Sequence, residues 1–138
     1  MTKTEIIDFL NANPTCYLAT SEGSKPRVRA LRMVRADEEG ILFQTVEGKD
    51  LPKQLKDNPQ VEVCYYNPEQ NTQIRVSGKA ALVDDTNLQK EIIEQRPFLK
   101  PLVEKKGLSA IPVFRIVDCL AYVWTMQNNL APKEYVKW

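Results

Sequence analysis

The chain has 138 residues, 43% of them hydrophobic and 27% charged, which suits one domain over 1–138 with a real core. Nineteen Lys and Arg against eighteen Asp and Glu leave a net charge of +1, arguing against the basic stripe that general nucleic-acid binding requires. No histidine is present, which removes Ser-His-Asp and Cys-His catalysis and speaks against structural zinc, so any hard chemistry falls to a cofactor.

The opening "MTKTEIIDFLNANP" lacks the long apolar stretch of a signal peptide and carries Glu5 and Asp8. Thr2 with Glu5 fits a capping box, Ile6, Phe9 and Leu10 share a face, and Pro14 stops the helix this predicts over 2–12. No run reaches the ~18 apolar residues that a membrane helix needs, and a cytoplasmic location is expected. Cys16, Cys64 and Cys119 are an odd number, set in apolar runs without a CxxC pair, and read as small buried hydrophobes.

"TCYLAT" is a predicted strand, "SEGSKP" a turn, and "PRVRALRMVR" a second strand running to about residue 35. "RADEEG" turns on Gly40 into a third strand, "ILFQTV". A short helix in "GKDLPKQLKDNP" ends at Pro59, with Leu51 and Leu55 on one side. "QVEVCYY" is the fourth strand and "TQIRVSGKAALVD" the fifth, where Gly78 marks a bend or bulge. A helical excursion over about 85–106 is broken by Pro97 and Pro101. "VFRIVDCLAYVWTMQ" is the sixth strand, and the tail "NNLAPKEYVKW" reads as irregular. Six mostly antiparallel strands with small helices predict a mainly β fold, a closed or partly closed barrel. A G-x-G-x-x-G fingerprint and a Walker loop are both missing, which sets aside Rossmann and P-loop folds.

The second strand concentrates Arg27, Arg29, Arg32 and Arg35 in ten residues. Alternation puts Arg27, Arg29, Leu31, Met33 and Arg35 on one face, and Val28, Ala30, Arg32 and Val34 on the other. Arg27 and Arg35 read as solvated strand ends. Arg29 and Arg32 fall mid-strand, where an unpaired charge is expensive unless an anion meets it. "QT" ends the next strand, and Lys49 and Lys53 lie one turn apart nearby. Arginine forks, a lysine, a threonine hydroxyl and a helix N-terminus are what a phosphate uses. Lysines on a short helix are also, more blandly, a solvated face. The residues thus point toward a phosphorylated small molecule and go no further.

The run from "PRVRALRMVR" through "ILFQTVEGKDLPKQLKDNPQVEVCYY", with "TQIRVSGKA" and "VFRIVDCLAYVW", resembles the pyridoxamine 5′-phosphate oxidase-like FMN-binding split barrels over about 14–126. The likeness is to short bacterial oxidase-related members. It implies a six-stranded antiparallel split barrel, a homodimer with FMN at the subunit interface, and an FMN-dependent oxidoreductase served by NADH or NADPH. By position, it assigns flavin contacts to Arg29, Leu31, Arg32, Gln44, Thr45, Gln73 and Trp124; Trp124 as core and Gln73 as an edge residue are the bland readings. The Arg-Lys pair that true pyridoxamine-phosphate oxidases carry at the short helix is Asp50 and Leu51 here, so the phosphate role passes to Lys49 and Lys53. The family's strand-ending lysine is Val34, and its C-terminal arginine and histidine segment is replaced by "TMQNNLAPKEYVKW", which speaks against vitamin B6 oxidation. Nitroimidazole reductases of this kind use a histidine near the flavin, and none is present. No side chain is assigned as catalytic and no metal is expected. A protein that holds FMN, the deazaflavin F420 or haem without turnover is the alternative.

Overall fold

The computed structural model describes residues 1–138. Helix α1 (Lys3–Ala12) begins where the Thr2 hydroxyl accepts the Glu5 N–H at 3.2 Å, and Ile6, Phe9 and Leu10 form its buried side. The predicted cap is thus present, although the Glu5 carboxylate takes the Thr2 hydroxyl rather than its backbone N–H.

Eight strands make one antiparallel sheet: β1 (Thr15–Glu22), β2 (Lys25–Arg32), β3 (Arg35–Asp37), β4 (Gly40–Gln44), β5 (Gln60–Asn67), β6 (Thr72–Val83), β7 (Val113–Trp124) and β8 (Tyr135–Lys137). Their order is β2-β1-β5-β6-β7-β4-β3, with β8 beside β7. Helix α2 (Asp50–Asp57) joins β4 to β5, and α3 (Thr86–Gln95) and α4 (Lys100–Lys106) fill the excursion between β6 and β7.

The split-barrel fold is as predicted, with two short strands beyond the six expected. Each extra strand has a local cause. The arginine strand does not run to residue 35: Met33 and Val34 carry the chain from one sheet edge to the other. The Met33 N–H donates to the Pro14 carbonyl at 2.9 Å and the Val34 N–H to the Leu42 carbonyl at 2.8 Å. Arg35 therefore opens β3 and pairs with Glu91 at 2.9 Å. The tail is not irregular throughout, because β7 changes neighbours along its length. Residues 113–116 pair with β4, and 120–122 pair with β8. Between them Asp118 adopts φ 53°, opposite the register shift at Gly78. A Cβ at Gly78 would sit 2.5 Å from the Val117 carbonyl oxygen, so the bulge read from sequence demands glycine.

Inward residues of the strands meet α1 in a core that includes Leu18, Phe43, Tyr65, Val76 and Ile116. A smaller cluster, Leu42, Leu88, Ile92, Leu99, Ile111 and Val113, lies under α3. Each such side chain contributes ~1.5–3 kcal/mol by leaving water. No helix is long and apolar enough to cross a membrane.

Cys16 and Cys119 are buried and Cys64 is half-buried. Burial pushes the Cys16 thiol up to about 11 and the Cys119 thiol to about 12. Both values lie above the unfolded thiol range, so their contribution to stability is complete below about pH 9 and is lost as pH rises through 11 to 12. In the native protein at pH 8, iodoacetamide should modify Cys64 first and the other two only upon unfolding. Mass spectrometry of timed aliquots checks this; equal labelling of all three would mean that the barrel opens readily.

Candidate functional site

A cleft of about 630 Å³ lies between β2, the segment after β4 and the start of α2. Arg27, Arg29 and Leu31 line it from β2, Gln44, Thr45 and Lys49 from β4 and its sequel, and Asp50, Leu51 and Gln54 from α2. The segment after β4 is pinned from behind: the Thr45 N–H donates to the Pro112 carbonyl at 3.1 Å and the Glu47 N–H to Ala110 at 2.9 Å. Gly48 turns the chain at φ 96° into α2, whose N-cap, Lys49, offers no side-chain acceptor to the helix N–H groups.

Arg29 is the centre of this wall. Strand alternation turns it inward beside Leu18, and its Nη1 donates to the Leu18 carbonyl at 3.2 Å and the Thr20 hydroxyl at 2.7 Å. Its Nη2 donates to Gln54 Oε1, which also accepts the Thr20 hydroxyl at 2.6 Å. Gln54 Nε2 in turn donates to Glu22 at 3.0 Å, and Glu22 is ion-paired with Arg27 at 3.1 Å. Every partner of Arg29 is neutral, and no carboxylate lies within ion-pair distance. Burial lowers its pKa, and Asp50 partly restores it. Lys49 also has no carboxylate partner.

The structure therefore brings together Arg29, Leu31, Gln44, Thr45 and Lys49 of the residues singled out in the sequence. Lys53 lies in an adjoining groove with Glu22, Asp50 and Asp57. Arg32 faces outward, bordering a separate hollow with Met33, Arg96 and Phe98. Gln73 and Trp124 are cross-strand neighbours at the far ends of β6 and β7, away from the cleft, and the Trp124 N–H donates to Asn129 at 2.8 Å. Their strand parity places them on the outer face with Tyr17, Cys64, Arg75 and Tyr122. No group of histidine, cysteine or acidic side chains is arranged to hold a metal.

Sequence reasoning missed four groups that build the site: Thr20, Glu22, Gln54 and Arg96. Two left a trace. Gln54 occupies an inward helix position with Leu51 and Leu55, and Thr20 an inward strand position after Cys16 and Leu18, so both are polar residues at core positions. Arg96 left none. Its Nη1 reaches Gln44 Oε1 at 2.7 Å, and its Nη2 reaches the carbonyls of Arg32 at 2.9 Å and Met33 at 3.1 Å.

The family model described as pyridoxamine 5′-phosphate oxidase matches residues 2–116. Among solved structures, a NimC/NimA family protein from Clostridium acetobutylicum is 25% identical with TM-score 0.79, covering 98% of this chain and 92% of that one. A pyridoxamine 5′-phosphate oxidase-related, FMN-binding protein from Nostoc punctiforme is 16% identical with TM-score 0.68, over 99% and 96% of the two chains. The General Stress Protein 26 of Bacillus anthracis is 17% identical with TM-score 0.72 over the full length of both. The last two likenesses speak to the fold. No curated protein matches the chain.

Replacing Gln54 by leucine removes the shared acceptor of Arg29 and Thr20 and leaves both inside the wall. Gln54→Leu is expected to cost about 1–3 kcal/mol, read as a lower urea midpoint at unchanged slope. A midpoint equal to that of the wild type would show that Arg29 swings out to water at no cost.

Proposed function

The chain belongs to the pyridoxamine 5′-phosphate oxidase family, and from that premise we propose that its main cleft binds FMN in an oxidoreductase acting on a small molecule. The observation that carries this reading is the inward Arg29 guanidinium, half-buried and held only by neutral partners. A buried charge is tolerated when hydrogen-bonded, and this one has no carboxylate in ion-pair contact to compete with an anion, although Asp50 stands on the same cleft and acts on it at longer range. Lys49 and the uncapped start of α2 stand on the same cleft, the donor set that a phosphate uses. Ala30, Leu31, Val46 and Leu51 supply apolar wall for a planar ring. The residues present thus fit the group.

FMN bound there would supply hydride transfer, which no side chain of this histidine-free chain provides. The protein's own work is then to hold the phosphate with Arg29 and Lys49, to orient the ring through Gln44 and Thr45, and to exclude water with Leu31 and Leu51. NADH or NADPH is the proposed electron source, and the cytoplasm the proposed location. The family's Arg-Lys pair, replaced by Asp50 and Leu51, leaves fewer cations here. Leu51 is instead buried in the core.

A homodimer completes the proposal. Gln73 and Trp124 sit on the outer face, where Tyr17 is 49% and Val28 70% exposed. A second copy packed on that face would bring its Gln73 and Trp124 to this cleft and cover both aromatic and aliphatic surface.

Purified protein, incubated with FMN and desalted, should retain one flavin per subunit. Arg29→Ala should weaken FMN binding about ten- to a hundredfold, as loss of a charged hydrogen bond does. Arg27→Ala, whose charge Glu22 already meets, should change it far less, and Lys53→Ala separates the adjoining groove from the cleft. Equal losses in Arg27→Ala and Arg29→Ala would sink the assignment. Retained FMN without NADH or NADPH oxidation above the free-flavin rate would make the protein a carrier, and uptake of F420 or haem in place of FMN would replace the cofactor.

A further inference from the structure

Gln44 closes one end of the cleft, and its carboxamide has a fixed sense. A glutamine amide offers an acceptor at one end and two donors at the other. Arginine is a donor only. Arg96 Nη1 lies 2.7 Å from the Gln44 oxygen, while the same guanidinium is held by the Arg32 carbonyl at 2.9 Å and the Met33 carbonyl at 3.1 Å. Those carbonyls lie at the end of β2 and the start of the crossing segment, so Arg96 cannot turn away without giving up both. The amide oxygen must therefore face Arg96 and the amide nitrogen the other way. That nitrogen has only the Thr45 carbonyl, at a long 3.4 Å, as an internal partner.

We infer that Arg96 is a positioning residue that locks the Gln44 carboxamide with its N–H groups toward the cleft, making this wall an obligate hydrogen-bond donor to an acceptor edge of the bound ring. This deepens the FMN reading and rests on it. Burial and the neighbouring Arg32 charge, which both disfavour a charged Arg96, mark the cost of keeping a guanidinium here with no carboxylate to meet it. The loop carrying Arg96 lies 52 residues from Gln44 in sequence, so the clamp also ties the α3 end to the cleft.

The decisive variant is Gln44→Glu. It keeps an oxygen for Arg96, turns the contact into an ion pair, and removes the donor. If the inference holds, Gln44→Glu melts no lower than the wild type, yet binds FMN about tenfold more weakly, the loss of one good hydrogen bond. Its bound flavin should also have a shifted visible spectrum and a more negative midpoint potential. Arg96→Ala should give a similar spectral change and Arg96→Lys a smaller one. Gln44→Glu binding FMN as the wild type does, with an unaltered spectrum, would overturn the donation. The clamp is read separately in the ligand-free protein from the Gln44 side-chain amide in ¹⁵N–¹H spectra. Arg96→Ala should move that pair of resonances to random-coil positions, and unmoved resonances would overturn the clamp. Wild-type protein that takes up no FMN would overturn the flavin reading and the donation together, while the amide spectrum still decides the clamp.

Discussion

Much of this molecule is arranged around one charge that is solvated by dipoles rather than cancelled by an ion. Arg29 enters the barrel wall and finds a carbonyl, a hydroxyl and an amide oxygen. At an effective dielectric near 20, a carboxylate 4 Å away would be worth about 4 kcal/mol to it, and an incoming anion would have to displace that partner. Neutral acceptors stabilise the guanidinium without competing for the anion in this way. The supporting parts follow from that constraint. Thr20 stands at an inward position of β1 and Gln54 on the inner side of α2, both places where an aliphatic side chain would otherwise pack, and Glu22 is kept one step back, where it pairs with Arg27.

The charge inventory shows that this is a choice of placement and not a surplus of cations. The chain has seven arginines in a nearly neutral sequence. Arg27, Arg35 and Arg115 have carboxylate partners, and Arg75 lies over the Tyr122 ring at 5.3 Å. Arg29, Arg32 and Arg96 have none: the first lies within β2, the second ends it, and the third is held by the carbonyls of Arg32 and Met33 at its exit. Acidic residues were available and sit elsewhere: Glu91 meets Arg35 across the fold, and Glu39 meets Arg115.

How far the sequence reveals this depends on whether the information is local. The Thr2 cap, the Gly78 bulge and the face that Arg29 shares with Arg27 and Leu31 follow from spacing within one element, and each is legible; which face of the arginine strand turns inward is not, because the pairing with β1 decides it. The end of β2 is not, because period-two alternation continues unbroken through Met33 and Val34 while the chain exchanges one sheet edge for the other. What stops the strand is the pair of hydrogen bonds to Pro14 and Leu42, which no local pattern announces. The same holds for β8, a three-residue strand that takes the edge of β7 beyond Asp118, where β4 no longer pairs with it, and is held there with Trp138 bonded to Cys119. Arg96 is the extreme case. Its neighbours in sequence mark a helix end before proline, while its partners lie on β4 and at the exit of β2.

β2 shows why the two faces of one strand must be considered together. Inward, it gives Arg27, Arg29 and Leu31 to the cleft; outward, it leaves Val28, Ala30 and Arg32 exposed. An eight-residue edge strand with open backbone groups and a 70% exposed valine invites pairing with other chains. The positive residues along it, Lys25 to Arg32, oppose the approach of a like-charged copy edge to edge. On the outer face, Tyr17, Tyr66 and Trp124 offer aromatic surface beside the charges of Arg32 and Arg75, a mixed surface of the kind on which a second copy can pack. In the proposed dimer, the cationic pattern of β2 thus disfavours edge-to-edge pairing, and packing on the outer face would leave the edge open to the proposed anion.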